Sequence, residues 1–213
     1  LLDTAPDLAA AANAMLAERG LGPLPAPRVR DFIGQGTGPL VWRCLHAALS
    51  AAPEEGAFEG ALEAFSTHYE RLNGSACSPY PGVAQGLRQM RELGLKLACV
   101  TNKPMRFTAP LLQKTGLAGY LDAVVTADEV GRRKPDPEPF LHACRRLGAS
   151  PAETVAIGDS ANDAIGARAA GCRVLLVPYG YREGRDVRDI PCDGIVADLT
   201  LATLTATRPW FAS

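Results

Sequence analysis

Apolar residues follow two different rhythms along this chain. From about residue 5 to 75 they recur at helical spacing. Phe58, Leu62, Phe65, Tyr69 and Leu72 stand at i, i+4, i+7, i+11 and i+14, one face of a long helix that Gly74 stops. Leu40, Val41, Cys44, Leu45, Ala48 and Leu49 mark a second helix, and Leu8, Ala12, Met15 and Leu16 an earlier one ending near Gly20. No strand-like run occurs in this stretch, so it predicts a small helical bundle.

From residue 79 the rhythm changes. Short apolar runs occur at Leu95–Val100, Ala123–Val125, Thr154–Ile157, Val174–Val177 and Gly194–Val196. Between them, helical spacing appears at Val83/Leu87/Met90, Phe107/Leu111/Leu112 and Phe140/Leu141/Cys144/Leu147. The last of these helices is expected to open with Asp136 as N-cap and Pro137 at the first helical position. Apolar strands joined by helices predict an α/β fold, with a parallel sheet covered on both faces.

Composition narrows the function classes. Of 213 residues, 47% are hydrophobic and 21% charged, which excludes a disordered chain. Lys and Arg number 22 against 23 Asp and Glu, a net charge of −1. That balance leaves no electrostatic footprint for nucleic acid or an anionic membrane surface. No apolar run approaches the roughly 18–20 residues of a membrane span, and the first residues do not read as a secretory signal. The six cysteines (Cys44, Cys77, Cys99, Cys144, Cys172, Cys192) contain no C-x-x-C pair, which removes zinc and thioredoxin-like readings. A reduced, cytoplasmic compartment is expected.

In an open parallel sheet, ligands bind beyond the carboxyl ends of the strands. The polar residues that follow each apolar run are therefore the candidates for chemistry. Thr101, Asn102 and Lys103 follow the run ending at Val100, and Gly158-Asp159-Ser160-Ala161-Asn162-Asp163 follow the run ending at Ile157. Between them stands Gly131-Arg132-Arg133-Lys134-Pro135-Asp136-Pro137. A hydroxyl, a lysine and two carboxylates would converge on one sheet edge, a set suited to a phosphate ester. Thr101 can donate its hydroxyl and its N–H to a phosphoryl oxygen, and Lys134 supplies a compact positive charge. Asp159 can hold a hard cation such as Mg²⁺, which would bridge to the phosphoryl group. Asp163 can face the same pocket, holding the metal's water or orienting Lys134. Plainer readings stand beside these: Thr101 or Asp159 as a helix cap, Lys134 as a solvated loop lysine, Asn102 and Lys103 as loop structure.

These motifs together resemble the haloacid dehalogenase superfamily of phosphatases. Val-Thr-Asn-Lys after a strand, then Arg-Lys-Pro-Asp-Pro, then Ile-Gly-Asp-Ser-Ala-Asn-Asp, with Ala-Ile-Gly-Ala-Arg-Ala-Ala-Gly behind it, stand in that superfamily's order. Val29-Arg30-Asp31-Phe32-Ile33-Gly34-Gln35-Gly36 is similar to the cap segment of the bacterial phosphoglycolate phosphatase subgroup, as is Val177-Pro178-Tyr179-Gly180-Tyr181 to a later segment. The resemblance implies a Rossmann-like core at 77–213 and an inserted helical cap at 5–76. It also implies Mg²⁺ on Asp159 with Asp163 supporting, and a phosphoryl group bound by Thr101, Asn102 and Lys134. The expected reaction is hydrolysis of small phosphate monoesters, 2-phosphoglycolate first, through an aspartyl-phosphate. Gly34 and Gly36, near Arg30 and Arg43, read as a loop that closes over the leaving group, with a plain turn as the alternative. The superfamily's nucleophile lies in a D-x-D-G-T stretch directly before Leu-Leu-Asp-Thr. This chain begins at Leu1-Leu2-Asp3-Thr4, so the nucleophile and first core strand are expected upstream of Leu1. Asp3 and Asp7 are spaced by four rather than two, with no apolar strand before them, and Asp3 reads as a helix start.

Other readings fit less well. A serine esterase built on Ser160 would need a downstream histidine, and His46, His68 and His142 all precede it. A response-regulator receiver would place its acidic residues before the Thr and Lys, the reverse of the order here. Gly34-Gln35-Gly36-Thr37-Gly38 fails the dinucleotide pattern, because residue 39 is proline and no strand precedes it. A catalytically inactive phosphatase-like binding protein, and a phosphatase for another small sugar- or acid-phosphate, remain the alternatives.

Overall fold

The computed structural model describes residues 1–53 and 55–206, so the last seven residues of the expected core lie outside the described residues. The chain forms two compact units, Leu2–Ser78 and Leu1 with Pro79–Ser213.

The first unit is helical, with α1 (Ala5–Ala17), α2 (Ala26–Arg30), α3 (Thr37–Leu49) and α4 (Glu55–Leu72). The periodic apolar residues form its core: Ala11, Ala12, Met15, Leu16, Val41, Cys44, Leu45, Phe65 and Tyr69 are all buried. Small alanines on α1 leave room for the stacked Phe65 and Tyr69 rings of α4, whose centroids are 5.7 Å apart. Asp7 is buried too, and its carboxylate accepts the N–H groups of Gly74 and Ala76, each at 2.8 Å. This ties the start of α1 to the turn that ends α4. Asp3 accepts the Ala5 N–H at 3.2 Å and pairs with Arg30 at 3.0 Å. Both acids therefore serve the local fold. Helix α2 was not expected, because one turn with a single buried side chain, Val29, has no periodicity to show.

The second unit holds the sheet strands β3 (Ala98–Val100), β4 (Ala123–Val125), β5 (Val155–Gly158), β6 (Arg173–Leu176) and β7 (Gly194–Ile195). Around them lie α5 (Val83–Glu92), α6 (Met105–Lys114), α7 (Glu138–Leu147), α8 (Ala161–Ala169) and α9 (Leu199–Ala206). Two-residue strands β1 (Leu2–Asp3) and β2 (Ser78–Pro79) pair with each other. All ladders of the second unit are parallel: β3 pairs with β4, and β6 lies between β5 and β7. This is the expected α/β architecture.

Register decides which peptide groups face the site. Leu97 and Thr101 bond to β4 through Ala123 N–H and Val125 C=O, so the odd positions of β3 face β4 and Val100 turns its peptide the other way. By the same alternation Thr154 and Gly158 face β6, and Val155 and Ile157 turn away from it. Beneath the strands lies a core of Phe140, Cys144, Ala156, Ala164, Ala167, Val174 and Leu176.

Two boundaries differ from expectation. β3 starts at Ala98, because the Leu95 N–H closes α5 on the Met90 carbonyl and the Leu97 N–H goes to the Asp122 carboxylate. The N-cap of α7 is Pro137 rather than Asp136, and the Asp136 carboxylate instead accepts the Glu138 N–H at 2.9 Å. Helix α9, rich in threonine and without clear periodicity, was also not expected. It is capped by Asp198, and it lies so close to α5 that a Cβ on Gly86 would stand 2.5 Å from Leu199 Cβ and 2.6 Å from its carbonyl carbon. Gly86→Ala should therefore cost about 1–3 kcal/mol through overpacking. A thermal melt should show a fall of at least about 2 °C, and an unchanged melting temperature would refute this close approach.

Candidate active site

Four side chains singled out by their place after the strands lie at the carboxyl end of the sheet unit. Asp159 directly follows β5, and Asp163 is in the first turn of α8. Ser160 caps that helix: the Asp163 N–H reaches Ser160 Oγ at 3.3 Å, and Asp163 Oδ2 accepts the Ser160 N–H at 3.2 Å and hydroxyl at 2.7 Å. Asp163 Oδ2 also accepts the Asp159 N–H at 3.2 Å. Gly158 makes this possible, since a Cβ there would stand 2.3 Å from Asp163 Cβ. The G-D-S-x-x-D spacing is thus a single construction: glycine gives space, serine caps, and the second aspartate closes over the first.

The other Asp163 oxygen, Oδ1, accepts Lys134 Nζ at 2.7 Å, and Nζ also donates to the Val100 carbonyl at 2.8 Å. That carbonyl lies on the edge of β3 that faces away from β4. Lys134 therefore joins the end of β3 to the start of α8. The side chains of Lys134 and Asp163 are only 12% and 11% exposed, so this is a buried ion pair rather than a solvated one. With two of its three N–H groups engaged, the ammonium keeps one for a ligand. The backbone of Lys134 is fixed as well. Its N–H donates to Asn102 Oδ1, and its C=O accepts from Asn102 Nδ2, both at 3.0 Å. On the far side of the loop, Gly166 of α8 leaves room for the Pro135 and Asp136 carbonyls, each 3.1 Å from where its Cβ would be.

Asn102 is expected to bind substrate, but its amide is turned to the Lys134 backbone and it acts as a clamp. The expectation for Thr101 also changes in part. Its N–H is committed to the Val125 carbonyl at 2.9 Å, and its Oγ1 accepts the Lys103 N–H at 3.1 Å. Its hydroxyl proton is what remains for a phosphoryl oxygen. Asp163 is expected near a metal, yet its two oxygens already receive four donors; the arrangement suits orientation of Lys134. Gly34 and Gly36 lie in the helical unit with φ of 143° and 98°. A pocket of about 430 Å³ in that unit is lined by Gln35, Gly38, Pro39, Trp42, Arg43 and Phe58. Ser160 gives its proton to Asp163 rather than to a histidine, and His68 and His142 are paired with Glu18 and Glu129.

Sequence reasoning noted the loop after β6 for its resemblance alone and gave it no role in the site. The Tyr181 N–H donates to Asp159 Oδ2 at 2.6 Å. Gly180, at φ 107°, lies so close that a Cβ would stand 1.8 Å from the same oxygen. Only glycine lets the backbone reach the carboxylate here. The signal was available, since Pro178-Tyr179-Gly180-Tyr181 follows an apolar strand as the other site segments do.

The electrostatics separate the two acids. Burial, and then the charge of Asp163, push Asp159 up to about 6. Burial acts the same way on Asp163, but Lys134 and the donors on its oxygens outweigh it and hold it down at about 2. Burial would lower Lys134, and Asp163 more than offsets that, so the ammonium stays charged. Asp159 is the group left short of positive charge, and its Oδ1 accepts no donor among the described residues. Those residues contain no cluster of three or more His, Cys, Asp or Glu able to hold a metal. Asp159 can supply one carboxylate ligand, which suits Mg²⁺, an ion commonly held by one or two carboxylates together with water and substrate phosphate.

The sequence pattern of haloacid dehalogenase-like hydrolases matches residues 1–171, and the chain belongs to that family. Within it the chain resembles the phosphoglycolate phosphatases. The phosphoglycolate phosphatase of Nitrosospira multiformis is 47% identical over 203 residues, 95% of this chain and 89% of that protein. That of Thiobacillus denitrificans is 44% identical over 209 residues, 98% of this chain and 92% of that one. The crystal structure of a predicted phosphoglycolate phosphatase from Haemophilus somnus superposes with a TM-score of 0.90 at 28% identity, covering 96% of this chain and 93% of that one.

Removing the charge of Asp163 leaves Lys134 buried without a counter-ion. Asp163→Asn should lose about 3–5 kcal/mol of stability near neutral pH. Because the folded pKa of Asp163 is depressed, its contribution is fully present above the unfolded value, about 3.9, and is lost as pH falls through about 2. Denaturant melts should show the gap between the two proteins wide at pH 6 and closing at the acid end. A gap independent of pH would refute the ion pair.

Proposed function

We propose that this protein is a Mg²⁺-dependent phosphatase of small phosphate monoesters, with 2-phosphoglycolate as its first substrate. The observation that carries the reading is the buried Lys134, locked between Val100 and Asp163 beside an Asp159 that lacks positive charge. The names of the relatives support the substrate. When bound, Mg²⁺ offsets negative charge on the phosphoryl oxygens.

The chain's own residues divide the remaining work. Thr101 donates its hydroxyl to one phosphoryl oxygen. Lys134 gives its remaining N–H to the phosphoryl group and balances the charge that builds up as the nucleophile approaches, already oriented before substrate arrives. Asp159 holds the cation, and Gly180 and Tyr181 fix the rotation of its carboxylate. Asp163 and Asn102 keep Lys134 in place from its two ends. The nucleophile in this reading is an aspartate of the enzyme. Transfer to it and hydrolysis of the aspartyl-phosphate split one hard step into two easier ones. The helical unit acts as the cap, and its loop at Gly34 and Gly36 reads the leaving group. Among the described residues no helix is long and apolar enough to cross a membrane, and all six cysteines are free, which supports a cytoplasmic home.

The test is a phosphate-release panel with and without Mg²⁺. 2-Phosphoglycolate should lead the panel and require the metal. Asp159→Asn should abolish metal-dependent release while the fold survives. Lys134→Ala should lower turnover about 10²–10³-fold. Release that ignores Mg²⁺, or a Lys134→Ala loss of only twofold, would refute the reading.

A further inference from the structure

The loop after β6 carries a polar atom that this mechanism does not use. The hydroxyl of Tyr179 is shut off from solvent and has no hydrogen-bond partner among the described residues. Buried polar groups in native proteins are nearly always satisfied, so such an orphan marks a position where a partner is received. Its ring is held against Tyr80, with centroids 4.6 Å apart and planes tilted by 31°. The two residues after it, Gly180 and Tyr181, form the cradle of Asp159. Burial first, then the charges of Asp198 and Asp159, push the phenol up to about 12, so both carboxylates act on it. Asp198 commits Oδ1 to Thr200 and Leu201 at the start of α9, and its Oδ2 accepts no donor among the described residues.

We propose that Tyr179 is a positioning residue of the Asp159 cation site, its buried hydroxyl meeting a water on the cation. The inference rests on the reading of Asp159 as the cation's ligand. A phenol both donates and accepts, so the hydroxyl can meet such a water in either sense. Partners one layer out from a metal orient its ligands, and losing one commonly weakens binding 10–100-fold. The Tyr80 ring keeps the hydroxyl in place before the cation arrives.

The experiment is a titration with Mn²⁺, its free concentration read by electron paramagnetic resonance, on the full chain without substrate. Wild type should bind the ion and Asp159→Asn should not. Tyr179→Phe should bind about tenfold more weakly. Its metal-free melting temperature should be unchanged or higher, since the orphan hydroxyl is gone. If Asp159→Asn binds Mn²⁺ like wild type, the cation site itself fails. If Asp159→Asn loses binding and Tyr179→Phe keeps wild-type affinity, the cation site stands and the role of Tyr179 is overturned. A Tyr179→Phe protein that melts lower with unchanged affinity assigns the hydroxyl to the fold, and overturns the proposal as well.

Discussion

The ammonium of Lys134 is the point on which this site hangs. It has left water for a position between the Val100 carbonyl and the Asp163 carboxylate, and it stays charged there only because Asp163 is ionised. An ion pair this buried contributes little net stability compared with apolar packing, yet breaking it is costly. Its return is therefore best sought in position. The pair fixes a cation at the carboxyl end of the sheet, joining the end of β3 to the start of α8, and each neighbouring choice in the chain serves it. Asn102 clamps its backbone, Gly158 admits Asp163, Ser160 caps α8 while binding the same carboxylate, and Gly166 makes room for the proline loop.

The pair also sets the character of Asp159. Asp163 is neutralised by Lys134 and three further hydrogen bonds, whereas Asp159, four residues earlier, receives one backbone N–H and feels its neighbour's negative charge. Two carboxylates in one short motif thus take different parts: one is a structural anion, the other is left wanting a cation. This asymmetry makes a metal-assisted reaction on a phosphate the natural reading of the geometry, in keeping with membership of the haloacid dehalogenase-like hydrolases.

Much of this was legible from residue order alone, for a physical reason. Buried parallel strands are apolar throughout, so the polar residues that follow them stand out. Thr101, Asp159 and Asp163 were found by that rule, Lys134 by its place in the proline loop between them, and Ala123–Val125 was found to the residue. The rule fails where apolar character serves another purpose, as in Leu95, which closes α5. It also fails where an element is too short or too polar to show a period, as in α2 and α9. Donor direction was not legible at all. Strand register commits the Thr101 N–H to Val125, and the Asn102 amide turns to the Lys134 backbone; neither follows from spacing. The Gly180 cradle was missed because a glycine between two tyrosines reads as a turn until the carboxylate beneath it is seen.

The central claim is that Asp159 receives the cation while Asp163 stays with Lys134. A crystal structure with Mg²⁺ and inorganic phosphate tests it most directly. The ion should lie about 2.1 Å from Asp159 Oδ1, with Lys134 still bound to both Val100 and Asp163. An ion held elsewhere, or Asp163 swung away from Lys134 to become a metal ligand, would contradict the account.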